Sequence, residues 1–130
     1  RTDRHRDFGW ASARLDDVVN WVPARLSALA IAVAAAFSNA ALDNAVRCAV
    51  SDAGKHRSPN AGWPEAAMAG ALGISLSGPR NYDGKASDEP FLNAQGDAPK
   101  IDDVRRAQHV YFGAWVLVLL TAFVLSLGFL

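Results

Sequence analysis

The pattern of apolar and charged positions divides the chain into two apolar stretches with a long polar region between them. Residues 110–130 carry no charged side chain over 21 positions, and residues 26–42 carry none over 17 positions, eight of which are alanine. The charged residues are therefore confined to the N-terminal segment and to the region between the stretches. Such segregation is typical of a chain that enters a membrane.

The stretch at residues 110–130 predicts a transmembrane helix. At ~1.5 Å per residue it would extend roughly 31 Å, which matches the hydrocarbon core of a bilayer. Tyr111 and Trp115 lie near its start, where amphipathic rings favour the headgroup region, and Arg105 and Arg106 come just before it. A buried core helix is the weaker interpretation, because so small a soluble protein cannot surround a helix that is apolar on every face.

The stretch at residues 26–42 predicts a helix of roughly 26 Å, which is short for a full membrane crossing. Trp21 at the interface and a snorkelling Arg25 would lengthen it, so we expect a membrane helix over residues 21–43. The small alanine side chains would let it approach other helices closely. The alternative is a helix in the core of a protein.

Two further helices are predicted in the polar region. Residues 64–72 begin at Pro64, which suits a first helical position, and end before Gly73, which suits a C-terminal stop. Small residues at every fourth position of this segment (Gly62, Ala66, Gly70) predict close helix packing. Residues 101–109 predict a helix that is capped near Asp102 and leads into the last apolar stretch.

The rest of the polar region, residues 77–100, is expected to be irregular chain. Dipeptides typical of turns lie at residues 78–79, 83–84 and 96–97. The predicted fold is therefore all-α, with polytopic membrane helices and a polar, partly irregular loop region that contains short helices. Its expected segments are a polar N-terminal segment at 1–20, a membrane helix at 21–43, the polar loop region at 44–109 and a transmembrane helix at 110–130.

Charge and cysteine content exclude several classes of protein. Thirteen basic and thirteen acidic residues leave no basic excess, so we expect no nucleic-acid partner. The single cysteine, Cys48, excludes an internal disulfide and is expected to be a buried thiol. The chain opens at Arg1 without an apolar run after its basic start, which predicts a fragment or processed chain and no secretory signal.

Most of the chemically reactive side chains are concentrated at residues 52–65. Lys55, His56 and Arg57 precede a predicted helix start, where free N–H groups and the helix dipole attract anions. This pattern predicts a phosphate site, with Asp52 and Glu65 available to hold Mg²⁺ through oxygen ligands. A solvated flank or a contact to lipid headgroups is an equally good interpretation. No Walker-type phosphate-binding motif is present in the sequence.

A second charged cluster lies ahead of the alanine-rich stretch. Arg14, Asp16 and Asp17 could bind a metal or activate a nucleophile, since paired carboxylates serve both purposes. Paired carboxylates are also ordinary at a helix N-terminus, where they complement the dipole. The residues alone favour this ordinary role.

At these two places the sequence resembles the CobD/CbiB family of cobalamin-biosynthesis proteins. The segments FGWASARLDD (8–17) and PARL (23–26) are similar to a stretch that precedes a membrane helix in that family, and SPNAGWPEAAMAGALG (58–73) resembles its signature. Gly78-Pro79, Tyr82, Gly84 and Pro90 resemble its Gly-Pro…Tyr-x-Gly…Lys-Pro pattern, and residues 103–106 with the apolar tail resemble its closing helix. Two departures are that Glu89 stands where the family usually has lysine, and that members are about twice this length or more, so the N-terminal half is expected to be missing here.

The resemblance implies adenosylcobinamide-phosphate synthase activity in a bacterial, multi-pass inner-membrane protein. It also implies ATP and Mg²⁺ as cofactors, and adenosylcobyric acid and aminopropanol or its phosphate as substrates. The lipid bilayer and the N-terminal half of the same protein are the expected partners. The expected catalytic residues are Lys55, His56 and Glu65; the expected substrate- and phosphate-binding residues are Arg14, Arg57, Ser58, Asn60, Gly62 and Trp63; and the expected metal ligands are Asp52, Asp16 and Asp17.

Two functions of another kind remain open from the sequence. One is a non-enzymatic membrane sensor of the same wider superfamily, which the intact signature at residues 58–65 argues against. The other is a small membrane-anchored scaffold, for which residues 55–65 would be dispensable.

Overall fold

Helices dominate the structure, a computed structural model that describes residues 6–82 and 85–128. The five α-helices are α1 (Arg6–Val19), α2 (Trp21–Ala36), α3 (Leu42–Asp52), α4 (Gly62–Leu72) and α5 (Ile101–Leu127), and a 3₁₀ turn (Ala53–Lys55) follows α3. The short strands are β1 (Leu76–Ser77), β2 (Arg80–Tyr82), β3 (Lys85–Ser87) and β4 (Phe91–Leu92).

The centre of the bundle is made largely of small side chains. α2 packs on α3, α4 and α5, and most of the buried apolar residues are alanines. A methyl group added at Gly70 would overlap the backbone of Asn44 and Ala45, so α3 and α4 are in backbone contact there. The side-chain amide of Asn44 donates to the Gly70 carbonyl oxygen at 2.7 Å. Gly62, Ala66 and Gly70 are all buried, as the spacing of small residues predicted.

The helix expected over residues 26–42 ends early. α2 has 16 residues and stops at Ala36; Asn39 then adopts a left-handed conformation (φ 49°) and α3 begins at Leu42. Asparagine tolerates this conformation, which breaks the helix where the apolar pattern alone continued. Six α2 residues are buried against the other helices (Ala28, Ala30, Ile31, Ala32, Ala34, Ala35). Of the helix expected over residues 21–43, α2 forms the part up to Ala36, a turn follows, and α3 begins at Leu42.

α5 is one uninterrupted helix of 27 residues rather than a short helix followed by a span. Its first turn is capped near Asp102, as predicted, by the side chain of Asp103: one Asp103 oxygen accepts the Lys100 backbone N–H at 2.8 Å, and the other accepts Arg106 Nη1 at 2.7 Å. Arg106 Nη2 also donates to the Leu72 carbonyl oxygen at 3.1 Å, which joins the start of α5 to the end of α4.

Within the described ranges, α5 is the one single helix long and apolar enough to cross a membrane, and only 11% of its apolar window is buried. α1 and α2 meet the same criterion only together, as a pair bent by 44°. A single span is thus supported by length and composition, and the further membrane helices stay a prediction.

The region expected to be irregular contains two small antiparallel ladders. β1 pairs with β4 (Leu76 opposite Leu92), and β2 pairs with β3 between them. Gly78 turns the chain with φ 88°, and a side chain at this position would overlap the Phe91 ring. A turn also forms before Gly96, whose N–H donates to the Asn93 carbonyl at 2.8 Å. The turn predicted at residues 83–84 lies outside the described residues.

The helix predicted at residues 64–72 is confirmed as α4, although it begins two residues earlier, at Gly62. Gly73 ends it in the left-handed conformation (φ 70°), as the stop signal predicted. Cys48 is a free, buried thiol, also as predicted. Burial is the main cause of the raised pKa of this thiol, and the neighbouring Asp52 carboxylate adds to it.

Candidate functional site

Three segments that are distant in sequence converge on one open cavity of about 620 Å³. α1, the start of α2 and the segment from the last turn of α3 to the start of α4 each supply part of the wall. We call this the cationic cavity, because three arginines and a histidine face a single carboxylate. Its lining is Arg14, Asp17, Arg25, Val50, Gly54, His56, Arg57, Pro59 and Trp63.

Asn60 connects these segments from beneath the cavity. Its side chain is buried, its Nδ2 donates to the Asp17 carbonyl oxygen at 2.8 Å, and its Oδ1 accepts Arg25 Nη1 at 3.2 Å. Ser58 holds Asn60 in place through a turn, since Ser58 Oγ accepts the backbone N–H groups of Asn60 (3.4 Å) and Ala61 (3.3 Å). The signature segment thus fixes the position of α1 relative to α2.

Arg25 was expected only to snorkel toward the membrane interface, and its place in the cavity was missed. Its guanidinium carbon lies 4.1 Å from the Trp21 ring centroid and 4.7 Å from the Trp63 ring centroid. Nη1 also donates to the Trp21 carbonyl oxygen at 2.7 Å. The available signal was the four-residue spacing of Trp21 and Arg25, which places both on one helix face.

His56 and Glu65 form a second polar group at the edge of the cavity. His56 Nδ1 accepts the Ser58 backbone N–H at 2.9 Å, so the neutral ring carries its proton on Nε2, which lies 3.5 Å from Glu65 Oε2. Arg80 Nη2 lies 3.7 Å from the other Glu65 oxygen. A methyl group on Gly62 would overlap the Ala53 carbonyl and approach His56 Cβ to 2.8 Å, so Gly62 is what allows the histidine loop to pack on α4.

The acidic pair of α1 is divided between two places. Asp17 faces the cationic cavity, where its Oδ2 lies 3.8 Å from Arg14 Nη1. Asp16 is exposed, accepts Asn20 Nδ2 at 2.8 Å, and lines an adjoining cleft with Ser58 and Asn60.

Asp52 and Lys55 are not among the residues lining the cationic cavity. Asp52 is buried, and its oxygens accept the Asn93 backbone N–H (2.7 Å), the Ser51 hydroxyl (2.9 Å) and the Lys55 ammonium (2.7 Å). Burial alone would raise the pKa of Asp52, but hydrogen bonds from Lys55, Asn93 and Ser51 outweigh it and hold that pKa below its ordinary value. The structure thus occupies both side chains with each other and with the loop at Asn93.

The donor set decides what the cavity can hold. Across residues 6–82 and 85–128, no three His, Cys, Asp or Glu side chains are grouped as metal ligands. Mg²⁺ commonly needs only one or two protein carboxylates when substrate phosphates supply other ligands. Asp17 on the cavity wall, with Asp16 next to it in sequence, fits that arrangement, whereas Asp52 already has three donors.

Comparison with known proteins agrees with the resemblance. A family model described as CobD/Cbib protein matches residues 1–111. The protein named Cobalamin biosynthesis protein CobD of Rhodobacter capsulatus is 52% identical over 111 residues, which are 85% of this chain and 34% of that protein. The CobD proteins of Rhizobium meliloti (50% identity, 88% of this chain, 36% of the relative) and Sinorhizobium fredii (47%, 100%, 41%) are similar. The chain therefore spans between about a third and two-fifths of the length of these relatives. No solved structure gives a significant match.

Proposed function

Because this chain belongs to the CobD/CbiB family, we propose that it acts in cobalamin biosynthesis as part of an enzyme that makes an amide bond at the expense of ATP. The substrates would be adenosylcobyric acid and aminopropanol or its phosphate. The chain corresponds to only part of its longer relatives, so the activity is proposed for the full-length protein that contains this chain.

The observation that carries the proposal is the cationic cavity. Arg14, Arg57 and Arg25 line it, and Arg57 is exposed with no ion pair to any described residue. Guanidinium groups with free N–H donors on a concave surface suit the phosphate oxygens of a nucleotide or a phosphorylated substrate. Three of the ten arginines of a chain without net positive charge line this one cavity, which a solvated flank would not require.

The chemistry explains why such a site is needed. A carboxylate is a poor acyl donor because its leaving group would be oxide, so its oxygen must first be phosphorylated by ATP with release of ADP. The amine then attacks the acyl phosphate, the C–N bond forms, and inorganic phosphate leaves. Arginines that bind the phosphate stabilise the charge that moves to it in both steps. Mg²⁺, held by Asp17 and the phosphates, would neutralise part of that charge when bound.

The attacking amine must also lose a proton, and the His56–Glu65 pair is the proposed acceptor. Within this pair the Glu65 carboxylate takes up the proton, because His56 Nδ1 already accepts a backbone N–H and its Nε2–H faces Glu65, so that the histidine orients the carboxylate. Ser58 and Gly62 then act by shaping the loop that presents His56.

We further propose that α5 crosses the bacterial inner membrane in a multi-pass protein. Its last 18 residues expose apolar side chains along most of their length, including Phe112, Leu119 and Phe123. These side chains must be covered by lipid or by other helices, because the described bundle covers few of them.

The test is growth of a corrinoid auxotroph that lacks this enzyme, complemented by the full-length gene. The wild-type gene should restore growth on cobyric acid, and Arg57→Ala should reduce the rate of amide formation by about 10- to 100-fold, the usual effect of losing a charged hydrogen bond. Arg105→Ala is the matched control, because Arg105 is exposed at the start of α5 and does not line the cavity. All strains should grow on cobinamide.

Failure of the wild-type gene on cobyric acid, with the protein present in the membrane, would contradict the proposed reaction. A non-enzymatic membrane sensor would then be the better description. Equal growth rates and equal amide formation by Arg57→Ala and wild type would instead show that the cavity is not the phosphate site.

A further inference from the structure

We propose that Arg25 is the principal anion-binding residue of the cationic cavity and binds a substrate phosphate through its Nε–Nη2 edge. Asn60 is the residue that positions Arg25. The inference rests on the proposed function for its ligand, a phosphate group. It gives a binding role to Arg25, for which the sequence predicted only snorkelling toward the membrane interface.

The hydrogen bonds of Arg25 leave one edge of the guanidinium available. The group has five N–H donors, and the two on Nη1 have their acceptors in the Trp21 carbonyl and the Asn60 side chain. Nε and Nη2 make no hydrogen bond to any residue the structure describes. These two groups form the parallel pair of donors that binds two oxygens of a phosphate at once.

The indole rings fix the plane of that edge. Arg25 has ring centroids at 4.1 and 4.7 Å from its central carbon, contributed by Trp21 on its own helix and by Trp63 on α4. A guanidinium held by two aromatic rings and two hydrogen bonds has little rotational freedom left to lose when it binds a ligand. A snorkelling arginine at a lipid interface needs no such restraint, which argues for a fixed recognition role.

Asn60 decides where Arg25 is held relative to the rest of the wall. It is 7% exposed and joins the Arg25 guanidinium to the backbone of α1 at Asp17. Two other cavity residues, Arg14 and Asp17, belong to that helix. Loss of the Asn60 amide would therefore loosen Arg25 and α1 together, without removing any charge from the cavity.

The experiment compares Arg25→Lys with Arg105→Lys in the full-length protein in detergent. Lysine keeps the charge and can still snorkel, but it cannot present two parallel donors. Binding of pyrophosphate is followed by the fluorescence of the tryptophans next to Arg25, and steady-state constants are measured separately for ATP and for the phosphorylated amine. We expect Arg25→Lys to raise the Kd for pyrophosphate and one of the two KM values by about 10- to 100-fold, with a smaller change in kcat.

The two substrates identify the source of the phosphate, since only the KM of the one that contacts Arg25 should rise. Asn60→Ala should raise the same KM by a smaller factor, and Arg105→Lys should change none. If Arg25→Lys unfolds, Arg25→Gln, which retains donors for Trp21 and Asn60, takes its place in the same measurements. Unchanged pyrophosphate binding and unchanged KM values in a folded Arg25 variant would overturn the proposal.

Failure of this inference and failure of the proposed function give different results. Pyrophosphate binding that depends on Arg25, in a protein that forms no amide, would leave Arg25 as an anion ligand and refute the reaction. Amide formation with KM values that do not depend on Arg25 would leave the reaction standing and refute the role of Arg25.

Discussion

Two buried asparagines each belong to a polar cluster, and the two clusters differ in how their polar groups are paired. Asn93 belongs to what we call the closed cluster (Asp52, Lys55, Asn93 and Cys48), and Asn60 belongs to the open cluster (Asn60, Arg25, Trp21 and Trp63). Both asparagines are less than a tenth exposed. The closed cluster uses its polar groups on itself, whereas the open cluster leaves donors facing a cavity.

The closed cluster shows how complete this internal pairing is. Asn93 Nδ2 donates to the carbonyls of Ala69 (3.3 Å) and Ile74 (3.0 Å), and its Oδ1 accepts Cys48 Sγ at 3.4 Å. Its backbone N–H donates to Asp52, whose charge is balanced by Lys55. No donor of the asparagine remains for a ligand.

The two clusters differ in whether their polar groups have hydrogen-bond partners inside the protein. This difference, and not the residue type, separates structural from functional polar residues. A buried polar group with all its partners inside the protein stabilises a fold, because leaving such a group unpaired is costly. A charged group that is held rigidly and yet retains unpaired donors at a cavity has capacity for a ligand. By this criterion Asp52, whose oxygens have three donors inside the protein, resembles a structural residue, and Arg25 resembles a ligand-binding one; the catalytic role expected of Lys55 stays a prediction.

The strongest test of the closed cluster is Asn93→Gly. Glycine tolerates the left-handed conformation of this position (φ 51°), so the substitution removes the amide without adding backbone strain. The Ile74 carbonyl would lose this donor, and the Ala69 carbonyl would keep only the Ile74 backbone N–H. We therefore expect the free energy of unfolding to fall by roughly 2–3 kcal/mol. Thermal or denaturant unfolding of the full-length protein in detergent would measure it.

Asn39→Gly is the matched control for that substitution. Asn39 is also left-handed (φ 49°) but is exposed at the turn between α2 and α3. Its replacement should change stability by less than about 0.5 kcal/mol. Equal losses at the two positions would show that backbone conformation, and not the hydrogen bonds of the closed cluster, sets the stability.

Gly62→Ala should displace the loop beside the open cluster that carries His56 and Arg57. The new methyl group would meet the Ala53 carbonyl and His56 Cβ, so the loop that carries His56 must shift, at a cost of about 1–3 kcal/mol. Amide formation should fall as well, because His56 and Arg57 move with that loop. Gly54→Ala is the control on the same cavity wall, where an added methyl group meets nothing within 4 Å. A stability loss at Gly54 as large as that at Gly62 would contradict this assignment.

The closed cluster also predicts how stability depends on pH. The pKa of Asp52 is lower in the folded protein than its ordinary value of 3.8, so the unfolded chain binds the proton first as pH falls. The stabilisation is present above about pH 5 and is lost as pH drops through 3.8 toward the folded pKa, by at most about 1.4 kcal/mol per pH unit. Asp52→Asn should flatten that part of the stability curve, and Asp88→Asn, at an exposed position, should not. Parallel curves for wild type and Asp52→Asn would refute the pairing.

Much of the helical framework could be predicted from the sequence because it follows from local signals. Pro64 lies in the first turn of α4 and Gly73 ends it, and the uncharged run at the end of the chain gives the apolar part of α5. The end of α2 was missed because an alanine-rich pattern continues past Ala36, while the break is made by the conformation of Asn39. The β-ladders were missed because strands of two or three residues are too short to show periodicity.

The candidate site was predictable by residue type but not by grouping. Proximity in sequence placed Lys55 with His56 and Arg57, yet the 3₁₀ turn sends Lys55 to Asp52 while the other two line the cavity. The position of Arg25 in the cavity was missed because it depends on Trp63, which is 38 positions away and reaches Arg25 only through the packing of α4 on α2. Contacts of this kind carry no local pattern.

The smallest effect is expected at Lys55, the lysine that the sequence assigned to catalysis. Lys55 is about two-fifths exposed and pairs with Asp52 at 2.7 Å, so Lys55→Met should cost no more than about 1 kcal/mol of stability. Asp52 would keep its bonds from Asn93 and Ser51, and the pH at which its stabilisation is lost should move upward. Amide formation should stay within about twofold of wild type. A loss of several orders of magnitude in kcat, with stability unchanged, would place Lys55 among the reacting groups and make the closed cluster part of the active site.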